Sequence, residues 1–210
     1  PVDHDYLMVV DSSLPGHSTA QVQRSLEYRV FLDPSGHSQA DLRLRYEHEG
    51  LHKDLVCGQG RPLEYDCFWN YFRLYISPLA TNVEMPPVPL HQGSEKLIWG
   101  YPDSDSAQLS PGVKLGSGRF TELGAYIAVE PGSTTTVPVR YELRQGALRS
   151  TAANTYEYRL LIQKQPGIDR DRITVALDLP ANAEILSTSP DLRARRDQML
   201  LFEFTLEEDT

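Results

Sequence analysis

Long apolar runs are missing from this chain. No stretch approaches the roughly 18 residues that a membrane-crossing helix needs, so no membrane span is expected within it. Positive charge is scarce as well: 20 Lys and Arg stand against 29 Asp and Glu, a formal net charge of −9. An acidic surface repels phosphate backbones, which argues against nucleic acid as a partner. The one basic cluster, Arg193, Arg195 and Arg196 before Asp197, is too short to change that and is expected to be a solvated turn. Catalytic signatures are missing too. There is no GxSxG elbow, no Walker A loop, and no GxGxxG that follows a strand and opens a helix. His17 and Ser18 adjoin, but neighbours along a chain are not a triad. None of the 29 acidic residues stands out as half of an acid–base pair, and no cofactor is expected. The chain opens on Pro1 and runs straight into DHDYLMVV, as expected of a piece excised from a longer protein whose targeting segment lies upstream.

What remains is the make-up of a globular domain. Hydrophobic residues form 40% and charged residues 23% of 210 positions, enough for a substantial core. The dominant pattern has a period of two, which places apolar side chains on one face of a strand. Leu26, Tyr28, Val30 and Leu32 share a face, as do Leu42, Leu44 and Tyr46, with the turn DPSGHSQ between them. The pattern recurs in Val137–Leu143, Tyr156–Ile162, Ile173–Leu179 and Leu200–Leu206, separated by Pro-, Gly-, Asn- and Asp-rich turns. The expectation is an all-β, immunoglobulin-like sandwich of about ten or eleven strands. The best helix candidate is the short HSTAQVQRSL, residues 17–26. A composition break over residues 144–154 divides the chain into 1–148, a β-sandwich with long surface loops, and 149–210, a smaller β-rich part packed on it or completing it.

The segment HEGLHKDLVCGQGRPLEYDC, residues 48–67, carries three competing readings. His48, Glu49 and His52 match HExxH, which on a helix brings two imidazoles to one Zn²⁺ with the Glu as general base of a hydrolase. Against it, the preceding residues alternate like a strand, Gly50 interrupts the motif, and no helical pattern surrounds it. Adding Cys57 and Cys67 makes a four-ligand zinc set, but nine residues separate the thiols and no CxxC turn brings them together. The third and preferred reading is a Cys57–Cys67 disulfide closing a Gly- and Pro-containing loop, which implies an oxidising compartment.

The next segment, CFWNYFRLYISP, points Phe68, Phe72, Leu74 and Ile76 inward, with Asn70 interrupting that face. Trp69, Tyr71, Arg73 and Tyr75 then share the other face. Rings and a guanidinium in a stripe suit the stacking of sugars or a peptide, so this is the candidate ligand surface. Its competitor is a face covered by another β-element or a loop.

Several segments together resemble a bacterial family known as domain of unknown function 4012. They are DYLMVVDSS, RSLEYRV, CFWNYFRLYISP, VEPGSTTTVPVRYEL and YRLLIQKQPGIDRDRITVALDLP, with the QKQPG turn the most distinctive. The resemblance implies an extracytoplasmic body of an envelope protein anchored through an upstream membrane segment, this chain being its C-terminal β-rich region. It supplies no catalytic residues. Relatives carry an Asn and then a Lys in the loop after the VVDS strand, where this chain reads Ser13, Leu14, Pro15, Gly16, His17 and Ser18. The expectation is therefore a non-catalytic structural or binding module at the cell surface. Its partners would be an envelope polysaccharide, another envelope protein or the upstream region of its own chain. The alternatives are a carbohydrate-binding module proper, a zinc hydrolase using the HEGLH segment, and a region that only packs against upstream sequence.

Overall fold

A computed structural model of the chain describes residues 4–13, 21–35, 37–50, 67–86, 88, 120–144, 147–167 and 171–206. Among the described residues the protein is all-β, with thirteen strands and no helix. They are β1 (Asp5–Ser13), β2 (Val22–Phe31), β3 (Ser38–His48), β4 (Phe68–Ile76), β5 (Ala80–Glu84), β6 (Thr121–Val129) and β7 (Thr134–Leu143), then β8 (Leu148–Ala152), β9 (Thr155–Tyr158), β10 (Leu160–Gln163), β11 (Asp171–Asp178), β12 (Ala194–Arg196) and β13 (Met199–Leu206).

The strands form a four-stranded sheet, β10-β1-β4-β6, and a seven-stranded sheet, β12-β13-β11-β2-β3-β7-β5. Among the described residues β8 and β9 pair only with each other. Most neighbours are antiparallel, but β1 runs parallel to β10 and β2 parallel to β11. Residues 160–206 thus supply strands to both sheets.

Alternation in the sequence becomes burial. β3 reads buried, exposed, buried along nearly its whole length, with Leu42, Leu44 and Tyr46 inside. β2, β7, β11 and β6 present Leu26, Tyr28, Val139, Tyr141, Ile173 and Ile127 to the same core. The β2–β3 hairpin is closed by side chains: Ser38 Oγ accepts the Asp33 N–H, and Asp33 accepts the Ser35 N–H. Asx and Ser bonds of this kind let a turn satisfy its own backbone.

Three details differ from expectation. The helix over residues 17–26 is absent where it is described, because Val22–Leu26 are the first half of β2 and pair with β3 from Val22 opposite His48. Ladder bonds and burial of Arg24 and Leu26 outweigh a weak helical propensity. The run 156–162 is two strands, not one. At Arg159 the chain leaves β9 and starts β10, with Arg159 O accepting the N–H of Asp5 on β1. The basic stretch at 193–197 includes a short edge strand, β12, that turns tightly at Asp197 (φ 51°). That break, with the short strands β5 and β12, helps take the count to thirteen.

Leu44 is fully buried, whereas Arg43 beside it is exposed. Leu44→Ala is expected to cost about 2–5 kcal/mol, and Arg43→Ala less than about 0.5, in urea unfolding.

Candidate functional site

The small sheet has two chemically distinct faces. Its outward face brings together alternate residues of β1, β4 and β6. Tyr71, Arg73 and Tyr75 of the expected stripe lie here, half-buried. Trp69 points the same way along the strand but is 4% exposed, so its ring is no contact surface. Neighbouring strands add groups that the sequence pattern did not single out. Tyr126 on β6 packs against Tyr71 at 4.7 Å between centroids, and Arg73 lies 5.5 Å over the Tyr71 ring. Glu122 approaches Arg73 Nε at 3.6 Å. Phe120 packs on Tyr6 at 4.2 Å and edge-on to Tyr75 at 6.5 Å. The Tyr71 ring can lie flat here because residue 124 is glycine: a Cβ there would meet the Tyr71 hydroxyl at 2.4 Å. Desolvation, and then the charge of Glu122, raise the Tyr75 phenol above its ordinary value.

The inward face of β1 has a different composition. Asp5, Leu7, Val9 and Asp11 point into the sandwich, an apolar pair between two carboxylates. Asp5 is completely buried. Its Oδ2 accepts the hydroxyls of Tyr28 on β2 and Tyr158 on β9, each at 2.6 Å, and its Oδ1 accepts the Tyr6 N–H. Tyr141 on β7 extends the network by donating to the Tyr28 hydroxyl at 2.9 Å. Burial pushes the Asp5 carboxyl above its ordinary value, against the hydrogen bonds from Tyr158, Tyr28 and Tyr6 and the charge of His4. Burial also raises all three phenols.

At the other end, Asp11 meets Arg24 of β2. The guanidinium donates to Asp11 Oδ2 at 2.6 Å and bidentately to Asp171 of β11 through Nε and Nη2. Asp11 Oδ1 accepts the Tyr46 hydroxyl and the Asn70 amide. Burial alone would lower the Arg24 pKa, but the hydrogen bond to Asp171 and the charges of Asp11 and Asp171 raise it. Gln165 in the QKQPG turn binds the Asp11 backbone at both its N–H and its carbonyl, extending the β1–β10 ladder by a side chain. Among the described residues the buried Asn70 Oδ1 finds no hydrogen-bond partner. This cluster is a junction between sheets: Arg24, Tyr46 and Asp171 come from the large one, Asp11 and Asn70 from the small one.

His48 is the last residue of β3, buried at 2% exposure. Its Nδ1 accepts the Gly50 N–H at 3.0 Å, and its backbone bonds Ser133 and Gly132. Glu49 accepts from the Gln23 side chain. His52 and Cys57 lie outside the described residues. Among the described residues no group of three or more His, Cys, Asp and Glu side chains is arranged to hold a metal. Cys67 immediately precedes β4 and is not a free thiol.

A cleft of about 1430 Å³ opens where the large sheet extends past the small one. Val175 and Leu177 of β11 and Phe202 and Phe204 of β13 floor it, with Tyr156 and Tyr158 of the β8–β9 hairpin on one wall.

Both carboxylate clusters have measurable consequences. Because the folded state holds the Asp5 proton above the ordinary 3.8, that group's contribution is complete below about pH 4 and is lost as pH rises through the folded-state value. The stability difference between the wild type and Asp5→Asn should therefore shrink, or change sign, as pH rises from 4 toward neutrality, read as urea midpoints. Arg24→Met strands two largely buried carboxylates and should cost about 3–5 kcal/mol, much of it recovered by adding Asp171→Asn.

No family model matches the chain, and no curated protein does. Among solved structures it is similar to a Legionella pneumophila protein described as a candidate nutrient-binding protein, with TM-score 0.44 and 9% identity over 98% of this chain and 69% of that one. It is also similar to an M1 zinc metallopeptidase from Deinococcus radiodurans, with TM-score 0.33 and 12% identity over 88% of this chain and 39% of the peptidase.

Proposed function

We propose that the chain is a non-catalytic binding module, built on an immunoglobulin-like sandwich, from the extracytoplasmic part of a membrane-anchored bacterial envelope protein. Its ligand surface is the outward face of β4 and β6, and its ligand class is envelope polysaccharide. The observation that carries this reading is the convergence of Tyr71, Tyr75 and Tyr126 with Arg73 and Glu122 on one sheet face. Phenol rings stack on the C–H faces of pyranoses, while a guanidinium and a carboxylate at their edge donate to and accept from hydroxyls. Trp69, 4% exposed, makes no ligand contact in this reading. The family resemblance supports the compartment and the upstream anchor. So would a Cys57–Cys67 disulfide, the one intrachain pairing that the two cysteines of the sequence allow. Other envelope proteins and the upstream region of the same chain are further partners in this reading.

Two measurements test it. Electrophoretic retardation in gels containing cell-wall polysaccharide should fall about tenfold in apparent affinity for Arg73→Ala and for Tyr126→Ala, about 1.4 kcal/mol each. Gly124→Ala, which must displace the Tyr71 hydroxyl, should weaken retention in the same direction. Retention unchanged in all three variants would remove the surface from consideration. A thiol titration of the denatured, unreduced protein should find no free thiol, and two after reduction.

A further inference from the structure

We infer that the β8–β9 hairpin is a lid, which opens and closes over the apolar cleft and is latched by the Tyr158–Asp5 hydrogen bond. The cleft exists because the sheets are unequal. Asp5 and Asp11 bond to Tyr28 and Arg24, which sets β1 over β2. Asp11 and Asn70 with Tyr46 set β4 over β3, and a bond from Thr135 to Ala128 sets β6 against β7. β10, beside β1, falls toward β11. Among the described residues no strand of the small sheet is left for β13; Val175, Leu200, Phe202 and Leu206 are still buried, and the cleft borders the inner side of β11 and β13. Leu177 and Phe204 there are only half-buried.

The hairpin stands over this floor and is attached differently from every other strand pair. Among the described residues it shares no ladder with either sheet. Arg149, Ser150, Thr151 and Ala152 are exposed, and the pairing slips between Ser150 and Ala152. Its two ends are fixed. Ala147, just before β8, is buried at 1% exposure. Tyr158, the last residue of β9, puts its hydroxyl on Asp5 at 2.6 Å. Between these anchors the hairpin faces the Pro180–Pro190 segment across the cleft, where Leu186 is 79% exposed. A paired unit joined to the core at its base, by the packing of Leu148 and Tyr158 and by the Tyr158–Asp5 bond, opens at lower cost than strands embedded in a sheet.

Hydrogen exchange on the whole chain tests this. In the wild type, amides of residues 148–158 should exchange by local opening, at a rate that low urea does not change, while β2 and β3 exchange only through urea-dependent unfolding. Tyr158→Phe should speed hairpin exchange about tenfold or more relative to β2 and β3. Tyr28→Phe removes the other phenol from the same Asp5 oxygen while keeping the Tyr158 hydroxyl that bonds it, and should leave that ratio at its wild-type value. Hairpin exchange that follows the core's urea dependence in the wild type would overturn the lid. So would an unchanged ratio in Tyr158→Phe, or an equal change in Tyr28→Phe.

Discussion

Two carboxylates on one face of one strand determine how the sheets meet. Asp5 and Asp11 are six residues apart on β1, about 20 Å, and bracket Leu7 and Val9. A carboxylate taken out of water must find donors, and here each finds them on β2: Tyr28 for Asp5 and Arg24 for Asp11. Those donors are four residues apart on β2, so both bonds form together only when the strands lie at one offset. A slip of one residue would turn the donors out of the core, and a slip of two would carry them about 7 Å away. The apolar contacts between Leu7, Val9 and Leu26 tolerate either neighbour; the carboxylates do not. The pins contribute more to specifying the arrangement than to its net stability, since a buried ion pair roughly offsets its own desolvation.

The rest of the architecture follows from that offset. With β1 over β2, four strands cover four, and among the described residues no strand of the small sheet lies over β13 and β12. The apolar cleft is the outcome, and the β8–β9 hairpin is the part of the chain that meets it. The same offset directs the other side of β1 and β4 away from the core. There Tyr6, Tyr71, Arg73 and Tyr75 assemble with Phe120, Glu122 and Tyr126 from the β6 segment. Polar chemistry inside the sandwich joins the sheets, and aromatic chemistry outside it forms the proposed ligand surface.

Much of the fold was legible from alternation. The inward sets of β2, β3, β7, β11 and β13 were readable because a strand with one buried face repeats every second residue. The β4 segment was readable as two faces, with Asn70 marked as an interruption; that interruption is a member of the Asp11 cluster. The clusters also have a signal in the sequence. Asp5, Asp11, Arg24 and Asp171 each occupy the apolar phase of a strand, at or near its end. A charge in that phase either breaks the strand or has a buried partner.

The amino-acid sequence by itself determined that this chain makes strands, which side of most of them faces inward, and where many of the turns fall. All three are local properties of period and turn chemistry. Only the tertiary structure decided which strands are neighbours, that β1 and β2 each take a parallel partner from beyond residue 159, and that Trp69 is buried while Tyr71 and Arg73 are half-exposed. It also brought Tyr126 and Glu122 to the β4 stripe from more than forty residues away. Those outcomes depend on pairing between segments far apart along the chain, and a pattern within one segment carries no record of the partner that will cover it.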